Sequence, residues 1–167
     1  IKGSFFFNFF LIICLLVTLY EWHMMSKKKK YHLLGILFLV LSFYTAYLFR
    51  EDSLWVFLFI IIICISTDIG GYISGRLFKG PKLTKISPNK TYSGVIGGYM
   101  FSIILINIFL NYHYLLNLRK IEFDIIIFVL VMLISSSSQI GDIIISYFKR
   151  LSKIKDTGKI IPGHGGI

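Results

Sequence analysis

The chain has 167 residues, 56% of them hydrophobic and only 16% charged, with a mean hydropathy of +0.76. About a quarter of the residues in a soluble domain are charged, so this composition excludes a soluble globular protein and points to a bilayer. The net charge of +10 then marks cytoplasmic loops, anionic headgroups or a phosphorylated substrate, and no nucleic acid is expected.

Five apolar runs follow one another. The first is Phe5 to Tyr20; it carries no small-residue cleavage site and the chain begins at Ile1, so it reads as a genuine span of an internal fragment. Next come Leu33 to Phe49, Leu54 to about Ile73, Val95 to Leu110, and Ile125 to about Ile145. A helix needs about 20 residues to cross the hydrocarbon core, and ~17 suffice when the flanks snorkel. The β-branched run Ile60 to Ile63 would favour a strand in water, but an unpaired strand in lipid leaves its backbone unsatisfied, so helix is expected. Cys14 and Cys64 lie inside apolar runs and read as small core residues, not as a disulfide or metal site. The expected fold is all-α, a polytopic membrane helical bundle with about five transmembrane helices and basic cytoplasmic loops.

Charge orients the bundle. With the Lys27 to Lys30 loop cytoplasmic, alternation also places Arg76 to Lys90 and Lys149 to Lys159 there. These segments hold four, five and five of the 18 lysines and arginines, a strong positive-inside bias.

Two acids fall at the cytoplasmic ends of spans. Ending the third span before Asp68 would leave it too short to cross, and Asp142 is followed by another apolar group, Ile143 to Ile145. Both acids can face one cavity. Ser135, Ser138, Asp142, Ser146 and Lys149 recur every three or four residues as one polar stripe. An acid at the bilayer centre costs about 2.5 to 3.5 kcal/mol, so such groups turn toward protein or a wet cavity. Close helix packing by the small residues, with Asp142 paired to a lysine, remains the structural alternative.

Between the third and fourth spans, Ser87 can cap a helix beginning at Pro88, whose free N–H groups would offer an anion site. Arg76, Lys85 and Lys90 add cations, which equally serve the positive-inside bias. Asn89-Lys90-Thr91 matches a glycosylation sequon, but its cytoplasmic placement argues against use, and Gly75 to Lys82 lacks the ending of a phosphate-binding P-loop. After the fifth span, Lys149, Arg150, Lys153 and Lys155 crowd Asp156 beside a flexible Pro162-Gly163-His164-Gly165-Gly166 turn. Its glycines permit close approach to a triphosphate, and His164 can donate a hydrogen bond.

Three ordered blocks resemble the phosphatidate cytidylyltransferases, the CDP-diacylglycerol synthases. The first runs from Thr67-Asp68-Ile-Gly-Gly-Tyr to Gly75-Arg76-Leu-Phe, and the second is Lys85-Ile-Ser87-Pro88-Asn89-Lys90-Thr91-Tyr92, where Tyr92 replaces the usual Trp. The third is Ser138-Gln-Ile-Gly-Asp142, running into Ser146 and Lys149-Arg150, and the closing run through Lys155-Asp156 to Pro162-Gly-His164-Gly165-Gly166 resembles the same family's signature. On this resemblance residues 1–66 are N-terminal transmembrane helices and 67–167 a catalytic-type region, in the inner or plasma membrane of a bacterium with its active-site loops cytoplasmic.

The resemblance implies a reaction of CTP with phosphatidate that yields CDP-diacylglycerol and pyrophosphate, supported by Mg²⁺. Asp142 would be the metal ligand, with Asp68 and Asp156 as further candidates for the metal or for orienting lysines. Lys149, Arg150, Lys90 and Arg76 would hold phosphates, and Lys85, Ser87, Thr91, His164, Gly165 and Gly166 would complete the site. Membrane lipids and a second copy of the chain are the other implied partners. Two departures stand out: Ile145 replaces an acidic residue, and the family's acidic D-R-x-D element would follow Ile167. Residues 1–167 alone are therefore expected to be inactive, which CDP-diacylglycerol formation by the purified chain would refute. A CDP-archaeol synthase, a polyprenol kinase, a transporter with an acid-lined path and a non-catalytic membrane subunit are the alternatives.

Overall fold

The computed structural model describes residues 2–27, 29–87, 89–115 and 122–153. Among these it holds five helices, α1 (Lys2–Ser26), α2 (His32–Asp52), α3 (Leu54–Phe78), α4 (Tyr92–Leu115) and α5 (Ile125–Leu151), and no strand beyond one isolated antiparallel bridge between Lys82 and Thr91. All five are long and apolar enough to cross a membrane, so the chain is an integral membrane protein. The helices outrun the apolar stretches: α1 continues past Tyr20 to Ser26, α3 past Ile73 to Phe78, and α5 past Ile145 to Leu151. Hydropathy marks the lipid-buried part of a span, whereas the backbone ladder runs on until a cap or turn ends it.

The described residues up to Leu54, with those from Phe148 on, form one compact unit. In it α1 and α2 make a hairpin whose turn is fixed by side chains. The Trp22 indole donates to the His32 carbonyl at 2.9 Å, and Ser26 Oγ donates to the Trp22 carbonyl at 2.6 Å while standing 2.8 Å from His32 Nδ1. The indole fits because Gly35 has no side chain, since a Cβ there would sit 1.9 Å from the ring. Phe148, in the last turns of α5, packs against Trp22 and Tyr31 with ring centroids 5.4 and 4.9 Å apart, and Tyr31 Oη lies 2.9 Å from Ser152 Oγ.

Residues 55–147 form the second unit. Ile63, Ile106, Leu110 and Val131 make its core, one or two from each of α3, α4 and α5. Lipid tails are as apolar as these side chains, so helix association here relies on close packing and polar contacts. Both are present. A Cβ on Gly70 would fall 2.5 Å from Phe101 Cβ and 2.6 Å from the Gly97 carbonyl, and one on Gly94 would fall 2.8 Å from the Gly71 carbonyl. The α3 and α4 backbones therefore touch. On the α5 side, Thr67 Oγ1 donates to Ser135 Oγ at 2.9 Å and Tyr99 Oη lies 2.8 Å from Ser136 Oγ. The serine run of α5 thus serves packing at Ser135, where the side chain is fully buried.

Candidate functional site

The 79–91 segment linking α3 to α4 builds one wall of a cavity in the second unit. Lys79 and Gly80 turn left-handed, with φ of 52° and 95°, and reverse the chain after α3. Only glycine adopts Gly80's geometry without strain. The segment then closes on itself: the Leu83 N–H donates to the Lys90 carbonyl at 2.8 Å, the Tyr92 N–H to the Pro81 carbonyl at 3.2 Å, and Ser93 Oγ to the Lys79 carbonyl.

This closure overturns the expected helix start. Ser87 does not cap a helix running from Pro88. Its carbonyl accepts from the Lys90 N–H at 3.1 Å in a turn, and its own N–H donates to Thr84 Oγ1 at 3.1 Å. With the Lys90 carbonyl engaged by Leu83, the helical ladder begins at Thr91, four positions after the expected cap Ser87. Thr91 is the cap: its Oγ1 accepts from the Gly94 N–H and its carbonyl from the Val95 N–H, each at 3.1 Å. The Ser87 reading went wrong because loop hydrogen bonding, invisible in a Ser-Pro dipeptide, decided where α4 starts.

The cavity has a volume of about 280 Å³. From α3 it takes Thr67, Asp68, Gly71 and Tyr72; from the loop Ser87, Asn89, Lys90 and Thr91; from α4 Gly94 and Val95; from α5 Gln139 and Asp142. The two acids expected at one depth do share a cavity. Lys90 bridges its loop to α5: its ammonium lies 2.7 Å from Asp142 Oδ2 and 3.3 Å from the Gln139 carbonyl. The side chains of Lys90 and Asp142 are 25% and 54% exposed, so the pair is worth only about 0.2 to 1 kcal/mol. A ligand can displace it cheaply.

The remaining expected residues divide. Arg76 stands on the exposed flank of α3 and donates from Nη1 to Tyr72 Oη at 2.9 Å, so it meets the cavity through Tyr72. Lys85 is exposed and is not part of the cavity wall. Lys149 and Arg150 occupy the last turn of α5, in the first unit, where cations suit the helix dipole. Asp156, His164, Gly165 and Gly166 lie outside the described residues. Sequence reasoning passed over Tyr72 and Gln139 as cavity residues, although each stands three or four residues from an expected acid and so shares its helical face.

Two carboxylates with hydroxyl, amide and ammonium groups form a hard-oxygen, anion-tolerant set. Among the described residues no group of three or more His, Cys, Asp or Glu side chains could hold a metal. Mg²⁺ needs no such group, because it keeps waters and binds through one or two carboxylates plus substrate phosphates. Asp68 and Asp142 fit that pattern.

A helical membrane protein with a charged cavity between span ends and a basic loop is the class defined by this geometry. The model of the cytidylyltransferase family matches residues 4–167, and the chain belongs to that family. Phosphatidate cytidylyltransferase of Rickettsia conorii is 34% identical over 168 residues, covering 95% of this chain and 72% of that protein. The proteins of that name from Staphylococcus haemolyticus and Haemophilus influenzae are 37% and 39% identical, covering 81% and 80% of this chain but 50% and 46% of those proteins. The chain thus spans about half the length of several curated relatives. No solved structure matches it.

Proposed function

We propose that the protein transfers a cytidylyl group from CTP to phosphatidate, forming CDP-diacylglycerol and pyrophosphate, with the loops bearing the site on the cytoplasmic face. One observation carries the reading: Asp68, Lys90 and Asp142, drawn from three separate sequence blocks, line a single cavity. Family membership and the relatives' names support the same reaction.

A phosphatidate oxygen attacks the α-phosphorus; that P–O bond forms as the bond to the β-phosphate oxygen breaks, and pyrophosphate leaves. No protein nucleophile is required. The demands are in-line positioning and neutralisation of charge. Lys90, released from Asp142, places its ammonium against phosphate oxygens, and Asp142 with Asp68 would hold Mg²⁺. The metal would supply Lewis-acid polarisation of the phosphoryl oxygens. Arg76, turned by Tyr72, is a further phosphate partner.

The test is CTP-dependent formation of CDP-diacylglycerol by the purified full-length parent protein in detergent or nanodiscs. Asp142→Asn is expected to lower kcat by on the order of 100-fold or more with the fold intact. Unchanged turnover in that variant would remove Asp142 from the site, and no lipid product from the parent protein would remove the reaction.

A further inference from the structure

The cavity holds a hydrogen-bond donor without an acceptor. Gln139 Nε2 is buried and has no hydrogen-bond partner among the described residues, although Gln139 is part of the cavity wall. Buried amide groups are almost always paired, so an acceptor from a ligand is the natural complement. The space that the amide occupies is made by Gly98, where a Cβ would stand 3.3 Å from Nε2 and 3.0 Å from the Thr67 carbonyl. The Gln139 backbone carbonyl receives the Lys90 ammonium at 3.3 Å. Lys90 and Gln139 belong to the same cavity wall, so an anion drawn to Lys90 enters the cavity that Gln139 lines.

We propose that Gln139 is a substrate-contacting residue whose side-chain amide donates to a phosphate oxygen of the nucleoside triphosphate. The assignment rests on the cytidylyl-transfer reading for the identity of the substrate, and on geometry for the contact. A phosphate oxygen fits better than a base edge because the cation of the same cavity wall is the Lys90 ammonium, which recognises anions and not nucleobases. Gln139 thereby serves twice, orienting Lys90 through its main chain and binding beside it through its side chain.

The experiment compares Gln139→Met, close in volume but without the donor, with the parent protein by calorimetric titration of pyrophosphate and by steady-state kinetics. Loss of a hydrogen bond to a charged group is expected to raise the pyrophosphate Kd and the KM for CTP together, by about 10-fold or more. The KM for phosphatidate and the preference for CTP over UTP should stay where they are. Unchanged pyrophosphate affinity overturns the proposal, as does a change confined to the CTP/UTP preference, a fall in melting temperature without a change in affinity, or a parent protein that binds no pyrophosphate. Should Gln139→Met fail to fold, Gln139→Glu keeps the shape and places a charge against the phosphate, so its affinity must fall further. If the parent binds pyrophosphate in a Gln139-dependent way but makes no CDP-lipid, the reaction is wrong and the contact stands. If it makes CDP-lipid and the variant binds normally, the contact is wrong and the reaction stands.

Discussion

Lys90 has two alternative partners, the Asp142 carboxylate 2.7 Å away and any anion that enters the cavity. Removing the ammonium leaves the carboxylate in a partly enclosed space and strips the site of a cation. Lys90→Met is accordingly expected to lower kcat/KM for CTP by ~10²- to 10³-fold, whereas Lys85→Met, altering an exposed side chain outside the cavity, should leave it near the parent value. Steady-state kinetics on both variants decides between a site role and a bulk contribution to loop charge. At this scale the sequence was a good guide where residue chemistry is strange for its surroundings. An acid inside an apolar run, as at Asp68 and Asp142, announces itself by its insertion cost. Ser87 and Thr91 did not, because either hydroxyl can cap a helix and only the Lys90 carbonyl's engagement with Leu83 selects Thr91.

Helix by helix, hydropathy located the five spans of the described residues but not what holds them together. The contact of α3 with α4 depends on glycines at which even a methyl group meets backbone. At Gly70 the obstacle includes the Gly97 carbonyl, which cannot swing aside as a side chain would. Gly70→Ala is expected to cost about 1 to 3 kcal/mol and to lower the thermal midpoint of the purified protein. Gly141→Ala, with nothing within 4 Å of the added atom, should be tolerated. Tight crossings were latent in the Gly70-Gly71 and Gly97-Gly98 pairs, yet the pairs alone could equally have served loop turns. Their helical setting became certain only once α3 and α4 had defined ends.

For the molecule as a whole, the bias of lysine and arginine predicts which side each loop faces. Single cysteines introduced in a Cys14→Ala, Cys64→Ala background test it with a membrane-impermeant maleimide on right-side-out vesicles. Glu122→Cys is expected to react in sealed vesicles, and Lys29→Cys and Lys82→Cys only after permeabilisation; the reverse pattern would invert the orientation. The first unit adds a property of another kind, since it joins the two extremes of the described chain: Tyr31 meets Ser152 across 121 positions. During synthesis the α1–α2 turn is made before α3, α4 and most of α5, so Trp22 cannot meet Phe148 until those helices have been polymerised. One of just two tryptophans in the sequence thereby becomes an optical timekeeper of biosynthesis, its surroundings completed only once the end of α5 has been made.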